Sequence, residues 1–129
     1  MKTMRSKLHA LVIGAGFGGL EVAKTLSDEL GDKLDLTLID QNDSFFFGYN
    51  KFDVIFGKKS AAEVKLNYRR IQLPGVHFVQ EHIISVDPDK KRVVTNIKTH
   101  QGDILVIALG ADYDFDETPG LLEGGNEFY

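Results

Sequence analysis

The chain has 129 residues, 43% of them hydrophobic and 26% charged, with a formal net charge of −4 at pH 7 and no cysteine. That is enough for one domain with a real core, and it excludes disulfide, thiolate-metal and thiol-nucleophile chemistry from this stretch. The acidic balance, with no long basic run, excludes a nucleic-acid partner. The lack of any apolar segment near ~20 residues excludes a transmembrane span, so the expectation is a soluble, cytoplasmic chain.

Residues 1–7, with Lys2, Arg5 and Lys7, read as a frayed start. Leu8 to Ile13 is an apolar run, as expected for a strand buried on both faces of a parallel sheet. Gly14, Gly16 and Gly19 then fit G-x-G-x-x-G. In a dinucleotide-binding turn the first glycine permits the tight turn, the second lets the backbone approach a pyrophosphate, and the third lets the helix pack on the sheet. The helix would open with backbone N–H groups and the positive end of its dipole facing the anion. Leu20, Ala23 and Leu30, with Val22 and Leu26, carry a helical spacing to Gly31, a C-terminal glycine. Leu34 to Ile39 is a second strand, parallel to the first after a right-handed crossover, and it ends in Asp40. An acid there, about 20 residues past the glycines, accepts hydrogen bonds from an adenosine ribose. A glycine pattern alone is a weak signal in a chain with 13 glycines, but here strand, turn, helix, strand and acid occur in order. The plainer reading is a glycine-rich turn that binds nothing.

Asn42-Asp43-Ser44 is a turn, followed by Phe45, Phe46, Phe47, Tyr49, Phe52 and Phe56, six aromatic residues in twelve. They read either as a loop sealing the core or as a wall over a planar ring, a quinone or a subunit. Ser60 and Glu63 form a capping box that predicts a short helix over 60–70, with Arg69 and Arg70 as its solvated basic end. Pro74-Gly75 is a turn, and 76–80 is a third parallel strand. Ile83–Asp87 and Arg92–Ile97 read as a β-hairpin about Pro88–Lys91, and 103–108 as a last buried strand. His9, His77, His82 and His100 share no metal-ligand spacing, and Asp112, Asp114, Asp116 and Glu117 read as a solvated acidic loop. No residue has the chemistry of a catalytic group or a metal ligand.

An α/β chain in which antiparallel strands replace one crossover helix resembles the FAD domain of the two-dinucleotide-binding-domain flavoproteins. Gly14, Gly16 and Gly19 with Ala23 are similar to that superfamily's extended glycine pattern, and Asp40 stands at its acidic position, more often Glu. Asp103 to Gly110 is similar to its second fingerprint, with Leu109 in place of a threonine. Within the superfamily, Ile107–Ala111, Thr118–Leu121 and Glu123–Tyr129 resemble the sulfide:quinone oxidoreductase and type II NADH dehydrogenase branch. The glutathione-reductase branch would place a cysteine pair in the region that here runs from Ser44 to Gly57 without one.

The resemblance implies a Rossmann-like FAD-binding domain over 1–111, a parallel sheet with helices and an antiparallel hairpin or meander crossover. Residues 112–129 would be a connector toward a second domain. The chain would be the N-terminal part of a longer oxidoreductase, with the protein peripheral to the inner face of the membrane. The expected cofactor is FAD, held by Gly14, Gly16, Phe17, Gly18, Gly19, Asp40, Gln41, His82, Ile83, Ala108, Leu109 and Gly110. By resemblance, a main-chain group near His82 or Ile83 meets the adenine. Quinone, with NADH or sulfide, would be partners of the longer protein, and a homo-oligomer stays open. Two other classes compete: a stand-alone FAD or NAD module without turnover, and a degenerate domain that pairs with a partner through the Phe45–Phe56 surface.

Overall fold

The computed structural model describes residues 7–125. Most of the expected frayed start at 1–7, and the Asn126–Tyr129 end of the tail motif, lie outside the described residues. By contact the chain divides into two compact units. One is built from residues up to Phe45 together with Leu66–Leu109, the other from Phe46–Lys65 with residues from Gly110 onward.

The first unit is organised on a four-stranded sheet. Its strands are β1 (His9–Ile13), β2 (Asp35–Asp40), β5 (Val76–Gln80) and β9 (Ile104–Ile107), in the order β5-β2-β1-β9. Every pairing is parallel, with Val12 opposite Leu38 on one side and Val106 on the other. Alternation sends the side chains of β1 to opposite faces. Ala10 and Val12 pack with Ala15, Ala23, Leu36, Leu38 and Tyr68, beneath α1 (Phe17–Leu30). Leu11 and Ile13 pack with Ile39 and Val93, against Val86 and Ile83. The second cover is therefore an antiparallel meander, β6 (Ile83–Asp87), β7 (Arg92–Thr95) and β8 (Thr99–Gln101), rather than a helix. Its third strand went beyond the expected hairpin: Thr95 N–H donates to Lys98 O, a tight turn that ends β7 at Thr95, two residues short of the expected Ile97, and reverses the chain into β8.

The helix predicted over 60–70 is corrected. Its capping box forms, with Glu63 N–H on Ser60 Oγ and Ser60 N–H on Glu63 Oε2, but α3 stops at Ala61–Val64. Lys65–Asn67 is strand β4, paired with β3 (Ser44–Phe46), and Tyr68–Arg70 is a 3-10 turn capped by Asn67. Tyr68 is buried, with its ring 4.8 Å from that of Phe78, and its N–H donates to Asp43 O at 3.0 Å. These tertiary contacts outweigh the local helical preference.

The second unit holds α2 (Asn50–Ile55), α3, a 3-10 turn at Phe115–Glu117 and α4 (Leu121–Gly124). The aromatic stretch thus contains a strand and a helix where a loop was expected. Phe45 packs against the first unit's core, whereas Phe47, Tyr49, Phe52 and Phe56 are exposed.

Candidate nucleotide-binding site

The site grows from the turn that leaves β1. Gly14 has φ +94°, a conformation that L side chains rarely adopt, and a Cβ there would lie 2.1 Å from Ala108 O. Its N–H donates to Ile39 O, and Ala108 N–H donates to Ile13 O, so the ends of β1, β2 and β9 are bound together. A Cβ on Gly19 would lie 1.7 Å from Gly14 O, so only glycine lets α1 seat on the turn. Gly18 sits over Ala108, its Cβ position 3.6 Å from that methyl.

Gly16 differs from both. It is the N-cap of α1, with φ −82° and ψ −155° and no side-chain cap, and a Cβ would meet nothing nearer than Phe45 Cε2 at 3.8 Å. The first bond of the helix is Leu20 N–H to Gly16 O, so the N–H groups before it have no acceptor within the helix. The Phe17 and Phe45 rings meet edge to face at 5.0 Å beside this turn.

Asp40 ends β2 directly under the turn. Its Oδ2 accepts from Ala15 N–H at 2.7 Å and its Oδ1 from Asn42 N–H at 2.8 Å. A carboxylate has about four acceptor positions, so one lone pair on each oxygen remains for a ligand. Tyr68 supports the turn from within, its hydroxyl donating to Ala15 O at 2.6 Å. Burial pushes that hydroxyl's pKa well above its ordinary value, and the nearby Asp40 and Asp43 add to the shift.

A cavity of about 310 Å³ opens at the ends of these strands, lined by Gly14, Asp40, Gln41, Asn42, Glu81, His82, Ile83 and Leu109. Of the residues singled out in the sequence, Gly14, Asp40, Gln41, His82, Ile83 and Leu109 line it together. Gly16, Phe17, Gly18 and Gly19 form the turn and helix start that follow Gly14, Ala108 leaves the end of β9 beneath Gly18, and Gly110, with φ +74°, begins the second unit. Gln41 Oε1 lies 2.8 Å from His82 Nδ1, and Gln41 O accepts from Gln80 Nε2 at 3.2 Å. The main chain of His82 is engaged on both sides: its N–H donates to Asn96 Oδ1 at 2.8 Å and its carbonyl accepts from Asn96 N–H at 2.9 Å. Ile83 faces Thr95 across the ladder, but Thr95 sends its N–H to Lys98 O, so the Ile83 carbonyl does not receive it.

Tyr68, Glu81 and Asn96 escaped the sequence reading, and Asn42, on the cavity wall, was read there only as part of a turn. Only Glu81 left a signal there, as a carboxylate in the short link between two apolar strands.

A parallel sheet with a glycine turn, a helix start over it, an acid beneath it and a meander on the far face defines a dinucleotide-binding α/β domain. Residues 8–128 match the pyridine nucleotide-disulphide oxidoreductase family, and the chain belongs to it. It is 33% identical over 115 residues to the type II NADH:quinone oxidoreductase of Staphylococcus aureus, an alignment that covers 82% of this chain and 27% of the relative. Among solved structures it is similar to the sulfide:quinone oxidoreductase of Aquifex aeolicus, with a TM-score of 0.80 and 29% identity over 90% of this chain and 27% of that one. The Plasmodium falciparum NDH2 structure, at TM-score 0.73 and 21% identity, shares the fold over 92% of this chain and 25% of that one. The chain thus spans about a quarter of the length of these relatives. No helix among the described residues is long and apolar enough to cross a membrane.

Proposed function

We propose that this chain is the N-terminal, FAD-binding part of a longer oxidoreductase that passes electrons from NADH or sulfide to a quinone. The observation that carries the reading is Gly16. Gly14 and Gly19 are glycine because protein backbone presses on them. Among the described residues nothing presses on Gly16, whose Cβ would meet only the Phe45 ring at ordinary contact distance, and its backbone is extended rather than left-handed. A bare backbone at the positive end of a 14-residue helix is what close approach of a pyrophosphate requires.

In this reading the N–H groups of Phe17, Gly18 and Gly19 hold the pyrophosphate, and the remaining lone pairs of Asp40 accept from the ribose hydroxyls. The main chain of Ile83 meets the adenine, and Leu109 and Gly110 border the flavin half. Asp40 is followed by Gln41, Asn42 and Asp43, with no cation for a ribose phosphate, which suits an unphosphorylated adenosine. Bound flavin supplies the redox chemistry, and the chain supplies orientation and electrostatics. The two relatives at 29% and 33% identity share a quinone acceptor by name and differ in donor, which supports a quinone as acceptor with either donor. A sulfide donor would need cysteines from elsewhere in the polypeptide, since this stretch has none. A quinone is held in the lipid bilayer, so in this reading the longer protein works as a peripheral protein at the inner, cytoplasmic face of the membrane.

The test is made on the product of the whole gene. The purified protein is expected to release FAD rather than FMN, identified by mass, and to reduce a quinone with NADH or with sulfide. Gly16→Val is expected to keep the wild-type circular dichroism and to lose the flavin. A wild-type protein without flavin, or a Gly16→Val protein with full flavin, sinks the reading.

A further inference from the structure

The link between β5 and β6 is two residues long, Glu81 and His82, and the Glu81 side chain is buried. Its Oε2 accepts from Thr95 Oγ1 at 2.6 Å and lies 2.6 Å from His100 Nε2, and both partners are buried as well. Burying a carboxylate is costly unless it is paired and hydrogen-bonded, and an apolar group in the same space is often as stable or more so. The cluster therefore calls for a role besides stability.

Its place in the chain suggests one. The Glu81 N–H donates to Asp40 O at 3.0 Å, so this residue is fastened by its backbone to the end of β2. Its side chain fastens it to the last residue of β7 and to the middle of β8. Asn96 then holds His82 by both main-chain groups, and the next residue is Ile83 on the cavity wall. Two walls of one cavity, Asp40 from the parallel sheet and Ile83 from the meander, are joined through a single buried carboxylate. We infer that Glu81, held by Thr95 and His100, is a positioning residue for the adenosine half of the cofactor, setting the distance between the ribose acceptor Asp40 and the adenine-facing main chain of Ile83. This inference rests on the FAD reading above.

The experiment uses apoprotein from the whole gene product, titrated with ADP, which carries the adenosine half alone, and with FAD. Glu81→Gln keeps the shape and removes the charge. It is expected to weaken ADP and FAD binding roughly tenfold, the size of one lost charge-assisted hydrogen bond. The visible spectrum of FAD bound at saturation should stay that of the wild type, because the flavin half is untouched. His100→Leu should weaken ADP in the same way, and His100→Gln, which keeps an N–H toward Glu81, should restore it. This pair decides the matter if Glu81→Gln does not fold. Wild-type ADP affinity in both Glu81→Gln and His100→Leu overturns the inference alone, as does weakened binding with an altered flavin spectrum, which reports a general loosening. A wild-type apoprotein that binds neither ADP nor FAD removes the FAD reading, and this inference with it.

Discussion

In β1 and β2 the side chains of Leu11, Val12, Ile13, Leu36 and Ile39 are wholly excluded from solvent, whereas Tyr49, Ile55 and Phe56, in and beside α2, are 87%, 53% and 70% exposed. Both stretches are rich in large apolar residues. The strands bury theirs because a parallel ladder holds them between two covers, α1 on one face and the β6–β8 meander on the other. The short α2 gathers Phe52, Ile55 and Phe56 on one stripe, with the rings of Phe52 and Phe56 stacked at 6.5 Å, but one stripe on six residues encloses nothing by itself. Apolar content announces a face in need of cover, and the neighbouring element decides whether the cover is there.

That comparison can be broken most sharply at the turn. Gly19→Ala drives a methyl into Gly14 O and should cost on the order of 4 kcal/mol in denaturant unfolding, separating α1 from the sheet. Leu11→Ala should cost about 3 kcal/mol, the usual range for a leucine in a closed core. A smaller effect lies on the acid side. Burial raises the Glu81 carboxyl, but the hydrogen bonds from Thr95 and His100 and the attraction of His100 and Lys98 outweigh it, so its pKa falls below the ordinary value. A lowered folded-state pKa contributes stability above the unfolded value, about 4.3, which is lost as the pH falls through the folded one. Stability measured against pH should therefore drop less steeply below about pH 4 in Glu81→Gln than in the wild type. Tyr68→Phe removes the hydroxyl that holds Ala15 O and should cost about 1 kcal/mol, read by thermal unfolding. Smallest of all, Tyr49→Ala should change stability by less than about 0.5 kcal/mol. A cost at Tyr49 equal to that at Leu11 would end the contrast between the two stretches.

Much of the first βαβ unit was legible because its signals are local. The apolar run of β1, the glycines at 14, 16 and 19, the helical spacing to Gly31 and the acid at 40 each report a backbone requirement within a few residues. The stretch from 44 to 70 was read less well. Its capping box at Ser60 and Glu63 is real, yet the helix ends at Val64, because Tyr68 is drawn into a core whose other members lie far away in sequence. The third strand of the meander and the Glu81 cluster were illegible for the same reason: Glu81 meets Thr95 and His100 only after β6, β7 and β8 have folded back.

By itself the sequence determined the class of the domain, the glycine turn, the acid beneath it and an antiparallel hairpin in place of a helix. These depend on backbone geometry and on the period of apolar residues, which neighbours in the chain express. The tertiary structure alone decided which glycines the protein itself needs, which side chains the aromatic stretch buries, and which buried carboxylate joins the two walls of the cavity. Those are distances between residues remote in sequence, set by packing.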